Sequence, residues 1–121
     1  MNKKGFTLIE MLVGLVLLAI GLLAIAGMQI TSVRGNFFSG SMTQASILAQ
    51  DRLETLKNLP IAHADLNLGN HNDGLVGTPP IFTRDYDVTS VVGTSMLNVR
   101  VRVTWRDTTD HTISFSTVRS Q

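Results

Sequence analysis

Glu10 is the residue whose chemistry most needs an explanation, because it stands one helical turn inside a long apolar segment. The run from Met11 to Val33 contains 23 residues and no Asp, Glu, Lys, Arg or His. As a helix it is about 34 Å long, enough to span a bilayer hydrocarbon core of about 30 Å. A carboxylate at full membrane depth costs about 3 kcal/mol. The segment therefore predicts a membrane span, and Glu10 predicts a cationic partner.

The residues before Glu10 follow a diagnostic order. Two lysines precede Gly5 and Phe6, and the acid follows four residues after the Phe. Residues 3–10 thereby resemble the type III signal of prepilins, and the chain resembles the type IV pilin-like proteins. In that family a membrane peptidase cuts after the Gly and methylates the new amino terminus. The resemblance implies a leader at residues 1–5, prepilin peptidase as a partner, cleavage after Gly5 and an N-methylated Phe6.

Such a cut would supply the partner that Glu10 needs. An α-amino group titrates at about pH 8, so the new terminus would be protonated at neutral pH. Phe6 and Glu10 are four residues apart and would share one helix face. The amine belongs either to the same chain or, as the resemblance implies, to a neighbouring subunit of a filament. The alternative is an uncleaved signal anchor, with Glu10 in the headgroup region near the positive end of the helix.

Charge and cysteine content exclude several classes of protein. The 121 residues carry a net charge of +1 and contain no cysteine. We therefore expect no disulfide framework and no thiolate chemistry. A nucleic-acid partner is not expected either, because such proteins normally show a basic patch or stripe. Lys3 and Lys4 predict a cytoplasmic N-terminus. Together with this orientation, the resemblance to pilin-like proteins implies a single-pass protein of the bacterial inner membrane, with a periplasmic C-terminal domain, that later enters a pilus filament.

The helical pattern continues beyond the apolar run but becomes amphipathic. Apolar residues at spacings of three and four share one face and predict a core stripe of Phe38, Met42, Ala45, Ala49, Leu53 and Leu56. No proline occurs before Pro60, so one helix is predicted over residues 6–58, membrane-spanning over 6–30 and amphipathic over 31–58. Residues 59–80 are rich in Asn, Asp, Gly and Pro and are predicted to be a connecting loop.

Period-two alternation marks the last third of the chain. Its clearest strand carries an apolar face of Val99, Val101, Val103 and Trp105. The pattern predicts a three-stranded antiparallel meander over residues 81–121, whose apolar face covers the helix stripe. The predicted fold class is therefore α+β and type IV pilin-like, with one long N-terminal helix whose C-terminal half packs on a small sheet.

No catalytic or metal-binding constellation is legible in the sequence. The three histidines fall in predicted loops or turns without the spacing of a triad or a zinc site: His63, His71 and His111. Asp65, Asn67 and Asp73 could offer oxygens to calcium, but their spacing does not match an EF-hand loop. Such a run is more often a solvated turn. We expect no enzyme activity, no cofactor and no bound metal.

A row of arginines on the predicted sheet could meet DNA or an acidic partner: Arg84, Arg100, Arg102 and Arg106. Three carboxylates are interspersed with them, at Asp85, Asp87 and Asp107. We therefore favour cross-strand ion pairing on a solvated sheet face.

Three further stretches carry a finer resemblance. Residues 20–29 and 48–54 resemble the PilV-type minor pilins, and residues 103–107 resemble the strand and turn near their ends. The next closest resemblance is to the I-type minor pseudopilin of type II secretion. The chain departs from major pilins because it lacks the cysteines of their disulfide-closed loop.

The finer resemblance implies a minor pilin, a low-copy structural subunit that helps initiate or cap a type IV pilus. Its partners would be other minor and major pilins and the inner-membrane pilus assembly platform. Two alternatives stay open: a minor pseudopilin of a type II secretion system, and a tip-presented module that binds a surface or DNA.

Overall fold

The fold is one long helix followed by a four-stranded sheet. The computed structural model describes residues 4–79 and 82–120. In chain order it contains helix α1 at Leu8–Asn58, a short 3-10 helix at Ala64–Leu66, and strands β1 at Gly69–Val76, β2 at Phe82–Val91, β3 at Met96–Arg106 and β4 at Asp110–Ser120. The predicted α+β class is confirmed, whereas the predicted number of strands is one too few.

The first of two units in the chain ends at Phe38. Every described residue of this unit is exposed, including large apolar side chains such as Leu23 at 73% and Met28 at 74%. By length and composition, α1 can cross a membrane. Apolar surface of this extent requires a lipid or protein environment.

Helix α1 begins at Leu8, later than the predicted start at Phe6. The Thr7 carbonyl accepts a hydrogen bond from Met11 N at 3.2 Å, and the Thr7 hydroxyl accepts one from Glu10 N at 3.3 Å. A threonine in this position is an N-cap, which marks the residue before the first helical one. The division of the helix into residues 6–30 and 31–58 stays a prediction.

The second unit begins at Ser39 and has one core shared by helix and sheet. The helix contributes Ser41, Ala45 and Ala49, none more than 3% exposed, together with the fully buried Leu56. The sheet contributes buried apolar residues from β2 and β3: Phe82, Tyr86, Val88, Leu97, Val99, Val101, Val103 and Trp105. Ile113 and Phe115 of β4 are half-buried beside them.

Two residues of the predicted core stripe are not buried. Phe38 is 38% and Met42 is 46% exposed, so the prediction was wrong at these positions. The buried face follows Ser41 and Ala45, and Met42 lies about 100° around the helix from Ser41. The hydrophobic pattern of the sequence favoured the larger side chains of Phe38 and Met42. The structure instead buries the smaller side chains of Ser41 and Ala45. Leu53 is half-buried at the margin of the core.

The four strands form an antiparallel meander in the order β1-β2-β3-β4. Tyr86 of β2 lies opposite Val101 of β3, which lies opposite Phe115 of β4. Since directly opposed residues point to the same side of a sheet, these residues form one row that faces the helix.

Residues 59–80 are not the simple loop that we predicted, because they contain the 3-10 helix and β1. Strand β1 pairs with β2 from Gly69 opposite Val88 to Val76 opposite Phe82, with an irregularity between Asn72 and Gly74. Bulges of this kind accept glycine and asparagine. The residues that predicted a turn therefore form an irregular strand. Their backbone pairs with β2, and amino-acid composition alone does not predict this pairing.

We expect Leu56→Ala to lower the free energy of unfolding by about 2–5 kcal/mol, because truncating a buried leucine leaves a cavity. The matched control is Ile47→Ala on the same helix, where the side chain is 59% exposed. Its expected loss is below about 0.5 kcal/mol. Denaturant unfolding of the full chain in detergent, followed by Trp105 fluorescence, measures both variants. Equal losses would contradict the position of Leu56 in the core.

Candidate functional site

The predicted cleavage site lies in exposed backbone before the helix. Residues 4–7 are non-helical and exposed. A side chain added at Gly5 would meet nothing within 4 Å, so the chain's own fold does not require glycine there. Proteolysis favours exposed backbone outside regular structure. The peptide bond between Gly5 and Phe6 meets this condition.

Phe6 does not share a helix face with Glu10 in the uncleaved chain, because Phe6 precedes the N-cap at Thr7. The predicted i, i+4 arrangement is therefore absent while the leader is attached. Phe6 is 80% exposed, which leaves its backbone nitrogen accessible once the preceding bond is cut.

Glu10 lies in the first turn of α1, three residues after the N-cap threonine. This spacing is that of a capping box, a local signal that the analysis of the sequence missed. The positive end of the helix stabilises a carboxylate there by about 0.3–1 kcal/mol. That is less than the cost of about 3 kcal/mol for a carboxylate at membrane depth. Position in the helix thus offsets only part of the cost, and a cationic partner is still required.

The packing of the single chain also does not explain why glycine occurs at several positions of the apolar segment. A side chain at Gly14, Gly21 or Gly27 would meet nothing within 4 Å, and glycine costs about 1 kcal/mol relative to alanine inside a helix in water. Between helices in a membrane, small residues allow backbones to approach closely. These positions are therefore suited to contacts with other helices.

In the second unit, Asp73 joins helix and sheet through two arginines. Arg84 Nε donates to Asp73 Oδ2 at 2.8 Å, and Arg52 Nη2 donates to Asp73 Oδ1 at 3.0 Å. Arg52 Nε also lies 2.9 Å from Asp73 Oδ2, a charge contact without hydrogen-bond geometry. The three side chains are only 14–17% exposed. Arg84 additionally donates to the Leu48 carbonyl of α1 at 3.1 Å.

Asp65 and Tyr86 complete this cluster around Arg52. Asp65 Oδ2 lies 3.3 Å from Arg52 Nη2, and the Arg52 guanidinium carbon lies 5.0 Å from the centre of the Tyr86 ring. Burial opposes the charge of Arg52, but Asp73, Tyr86 and Asp65 outweigh it and raise the Arg52 pKa. Burial is the main cause that raises the pKa of Tyr86.

This cluster contains two of the three residues that were considered as calcium ligands. Asp65 and Asp73, two of the oxygen donors considered for calcium, bind guanidinium groups instead. Within residues 4–79 and 82–120, no group of three His, Asp or Glu side chains could hold a metal ion.

The three histidines lie at separate places. His63 Nδ1 accepts from Asp65 N at 3.2 Å, and His71 stacks on Tyr86 with ring centres 4.7 Å apart. His111 Nε2 lies 3.0 Å from Asp107 Oδ1. The structure does not bring them together.

The predicted arginine row is divided between the two faces of the sheet. Arg84 belongs to the helix-facing side, which corrects its assignment to the row. On the opposite face Arg102 pairs with two carboxylates: its Nε donates to Asp85 Oδ2 at 2.9 Å and its Nη1 to Asp87 Oδ2 at 2.6 Å. Arg106 pairs with Asp110 at 2.5 Å. Ion pairing of the kind favoured from the sequence is thus present for Arg102.

Asp87 receives hydrogen bonds from both neighbouring strands. Burial alone would raise its pKa, but hydrogen bonds from Asn70 and Arg102 outweigh burial and lower the pKa below the ordinary value of 3.8. The hydrogen bonds that Arg102 donates to Asp85 and Asp87 raise the pKa of Arg102.

Comparison with known proteins identifies the N-terminal segment. Residues 1–26 match the family model described as the prokaryotic N-terminal methylation motif. No curated protein and no solved structure shows a significant match to the chain. The matched segment contains Gly5, Phe6 and Glu10 and supports a prepilin-type signal at the N-terminus. It is consistent with membrane anchoring through the apolar helix.

We expect Asp73→Asn to lower the free energy of unfolding by about 2–3 kcal/mol, because two largely buried guanidiniums lose their shared carboxylate. The matched control is Asp110→Asn, whose pair with Arg106 is solvent-exposed. Exposed pairs contribute little, so this variant should unfold with the parent. Denaturant unfolding of the full chain in detergent compares them. Indistinguishable curves for both variants would contradict the role of Asp73.

Acid should weaken the fold, in part through Asp87. Its lowered pKa means that its contribution is complete above the unfolded-chain value of about 3.9 and is lost as pH falls through the folded value. We expect the melting temperature to hold from neutral pH to about pH 4 and then to fall, less steeply in Asp87→Asn. Asp107, whose pKa is also lowered, retains part of the slope. Circular dichroism at several pH values measures the melting temperature. If the melting temperature falls equally steeply with acid in Asp87→Asn and in the parent, the contribution of Asp87 is contradicted.

Proposed function

We propose that the chain is a minor pilin, a low-copy structural subunit that helps initiate or cap a type IV pilus after prepilin peptidase removes residues 1–5. The observation that carries the proposal is the methylation motif over residues 1–26, continuous with an apolar helix whose exposed surface and glycines its own fold does not explain. A subunit of a helical filament would use both features in contacts with its neighbours.

The proposed role of Glu10 follows from the free-energy cost of its carboxylate in the membrane. In the membrane, the first turn of α1 partly offsets the cost of the carboxylate. Cleavage after Gly5 creates an amine at Phe6, and this amine supplies the missing positive charge. The partner amine comes from the same chain or from a neighbouring subunit. In the second case, an unpaired Glu10 favours entry into the filament, because assembly satisfies it.

The second unit serves as the exposed head of this subunit rather than as an enzyme. Its best-defined polar cluster, Arg52 with Asp73 and Arg84, consists of ion pairs that fasten the sheet to α1. A general base or nucleophile needs a free lone pair near a substrate. The engagement of these carboxylates with guanidiniums supports a structural role.

The minor rather than major type is supported by the lack of cysteine and by the resemblance of residues 20–29 and 48–54 to PilV-type minor pilins. We propose the inner membrane as the site of the unassembled chain, with the second unit in the periplasm. Other pilins and the assembly platform are its proposed partners.

A minor pseudopilin of a type II secretion system is the second candidate. It is supported by the resemblance of residues 103–107, which include the buried Trp105, to the tryptophan strand of the I-type pseudopilin. A tip module that binds DNA through arginines is less well supported, because Arg84 and Arg102 are engaged by carboxylates.

Mass measurement of the chain recovered from sheared filaments tests the proposal. We expect a chain that begins at Phe6 with one added methyl group. Glu10→Gln should be cut normally but fall at least about tenfold in the filament fraction, which corresponds to 1.4 kcal/mol, because an amide cannot pair with the amine's charge. The matched control is Asp51→Asn, an exposed acid on the same helix, which should assemble normally.

A chain that begins at unmodified Met1, or its absence from every filament fraction, would contradict the proposal. Deletion of the gene then separates the two candidates. Loss of surface pili with normal protein secretion supports the minor pilin, whereas retained pili with lost secretion supports the pseudopilin.

A further inference from the structure

The short segment between α1 and β1 is joined to the rest of the second unit by one apolar and one polar contact. It contains the 3-10 helix at Ala64–Leu66. The Leu66 side chain is 4% exposed and belongs to the core, and Asp65 Oδ2 lies 3.3 Å from Arg52 Nη2 of α1. A change in the 3-10 helix therefore affects both the packing of Leu66 and the Asp65–Arg52 ion pair.

His63 is the N-cap of this 3-10 helix. Its Nδ1 accepts a hydrogen bond from Asp65 N at 3.2 Å, which requires a lone pair on Nδ1. In the charged form of histidine both ring nitrogens carry hydrogen, and neither can accept. Histidine is also the side chain whose charge ordinarily changes between pH 5 and 8. The cap and a proton on Nδ1 therefore exclude each other.

The Asp65 carboxylate offers a protonated His63 a different partner. Asp65 Oδ1 lies 3.9 Å from His63 Nδ1, while Asp65 Oδ2 faces Arg52. Arg52 in turn lies 2.9 Å from Asp73 Oδ2 of β1, so Arg52 and Asp73 are the charged groups beyond this carboxylate. One ring atom of His63 thus faces both the amide and the carboxylate of the same residue, and its protonation selects between them.

We infer that His63 is an acid-responsive switch in the segment between α1 and β1. At neutral pH, Nδ1 accepts from Asp65 N and caps the 3-10 helix. In mild acid Nδ1 gains a proton and donates to the Asp65 carboxylate, in competition with Arg52. The 3-10 helix then loses its cap and opens more often, which exposes Leu66. The form with the changed partner keeps α1 and the sheet, so the change is local.

His71 provides an internal comparison. Its Nε2 lies 2.8 Å from the Asn67 carbonyl, which can only accept, so Nε2 carries the hydrogen in the neutral and in the charged form. Its ring also stacks on Tyr86. Titration of His71 therefore leaves its hydrogen-bond partner unchanged, in contrast to titration of His63.

NMR of the isotope-labelled full chain in detergent tests the inference, at several pH values across the range in which histidine changes charge. We expect the Asp65 amide signal to shift with the same midpoint as the His63 ring. Hydrogen exchange at residues 65–67, corrected for its intrinsic pH dependence, should accelerate about two- to fivefold, within the range for a lost N-cap. An Asp65 amide that stays constant while the His63 ring titrates would overturn the inference.

His63→Asn is the matched variant, because asparagine caps helices well and does not titrate. In this variant the corrected exchange at residues 65–67 should not accelerate in mild acid. Equal acceleration in the variant and in the parent would overturn the inference. Should the variant fail to fold, the two midpoints measured in the parent still decide.

The change of partner is measured at the side-chain carboxyl carbons. Asp65 and Asp73 both contact Arg52, but of the two it is Asp65 that faces His63. We expect the Asp65 carboxyl signal to shift at the His63 midpoint and the Asp73 signal to shift less. Equal shifts at both carboxylates, or none at Asp65, would overturn the inference. These measurements need no filament, so their outcome is independent of the proposed function.

Discussion

The proposed passage of this chain from membrane to filament depends on one carboxylate at the start of an apolar helix. Glu10 is followed by 23 residues without a charge, and the positive end of the helix offsets less than half of the cost of about 3 kcal/mol. An amine made by cleavage after Gly5 would supply the remainder. The same cut that removes the leader would therefore create the partner that lets the helix leave the membrane for a protein environment.

The second unit is stabilised in a different way, by packing and ion pairs between the small sheet and the helix. Its core includes the helix, because Ala45 and Ala49 belong to the same buried cluster as the valines of β3. Asp73 reinforces this packing through arginines on α1 and β2. Several of the charged side chains on its sheet are paired with one another.

The sequence predicted the parts that local patterns determine. A charge-free run, the absence of proline before Pro60 and strict alternation in β3 were sufficient for the helix, the sheet and the α+β class. β1 could not be predicted, because its glycines and asparagines signal a turn and only pairing with β2 makes them a strand. Asp73 was missed as the centre of an ion cluster for the same reason: Arg52 and Arg84 are distant in sequence. The N-cap at Thr7, by contrast, could have been predicted from the sequence, because Thr7 and Glu10 have the spacing of a capping box.

We propose that cleavage after Gly5 gives Glu10 its positive partner. Solid-state NMR can measure the distance from the Phe6 backbone nitrogen to the Glu10 side-chain carboxyl carbon, in cleaved and uncleaved chains in lipid bilayers. In the cleaved chain we predict an ionised carboxylate within about 4 Å of an amine, the range of an ion pair, with the amine on the same chain or on a neighbouring copy. In the uncleaved chain we predict no such proximity. A protonated Glu10, or the same long distance in both chains and between neighbouring copies, would contradict it.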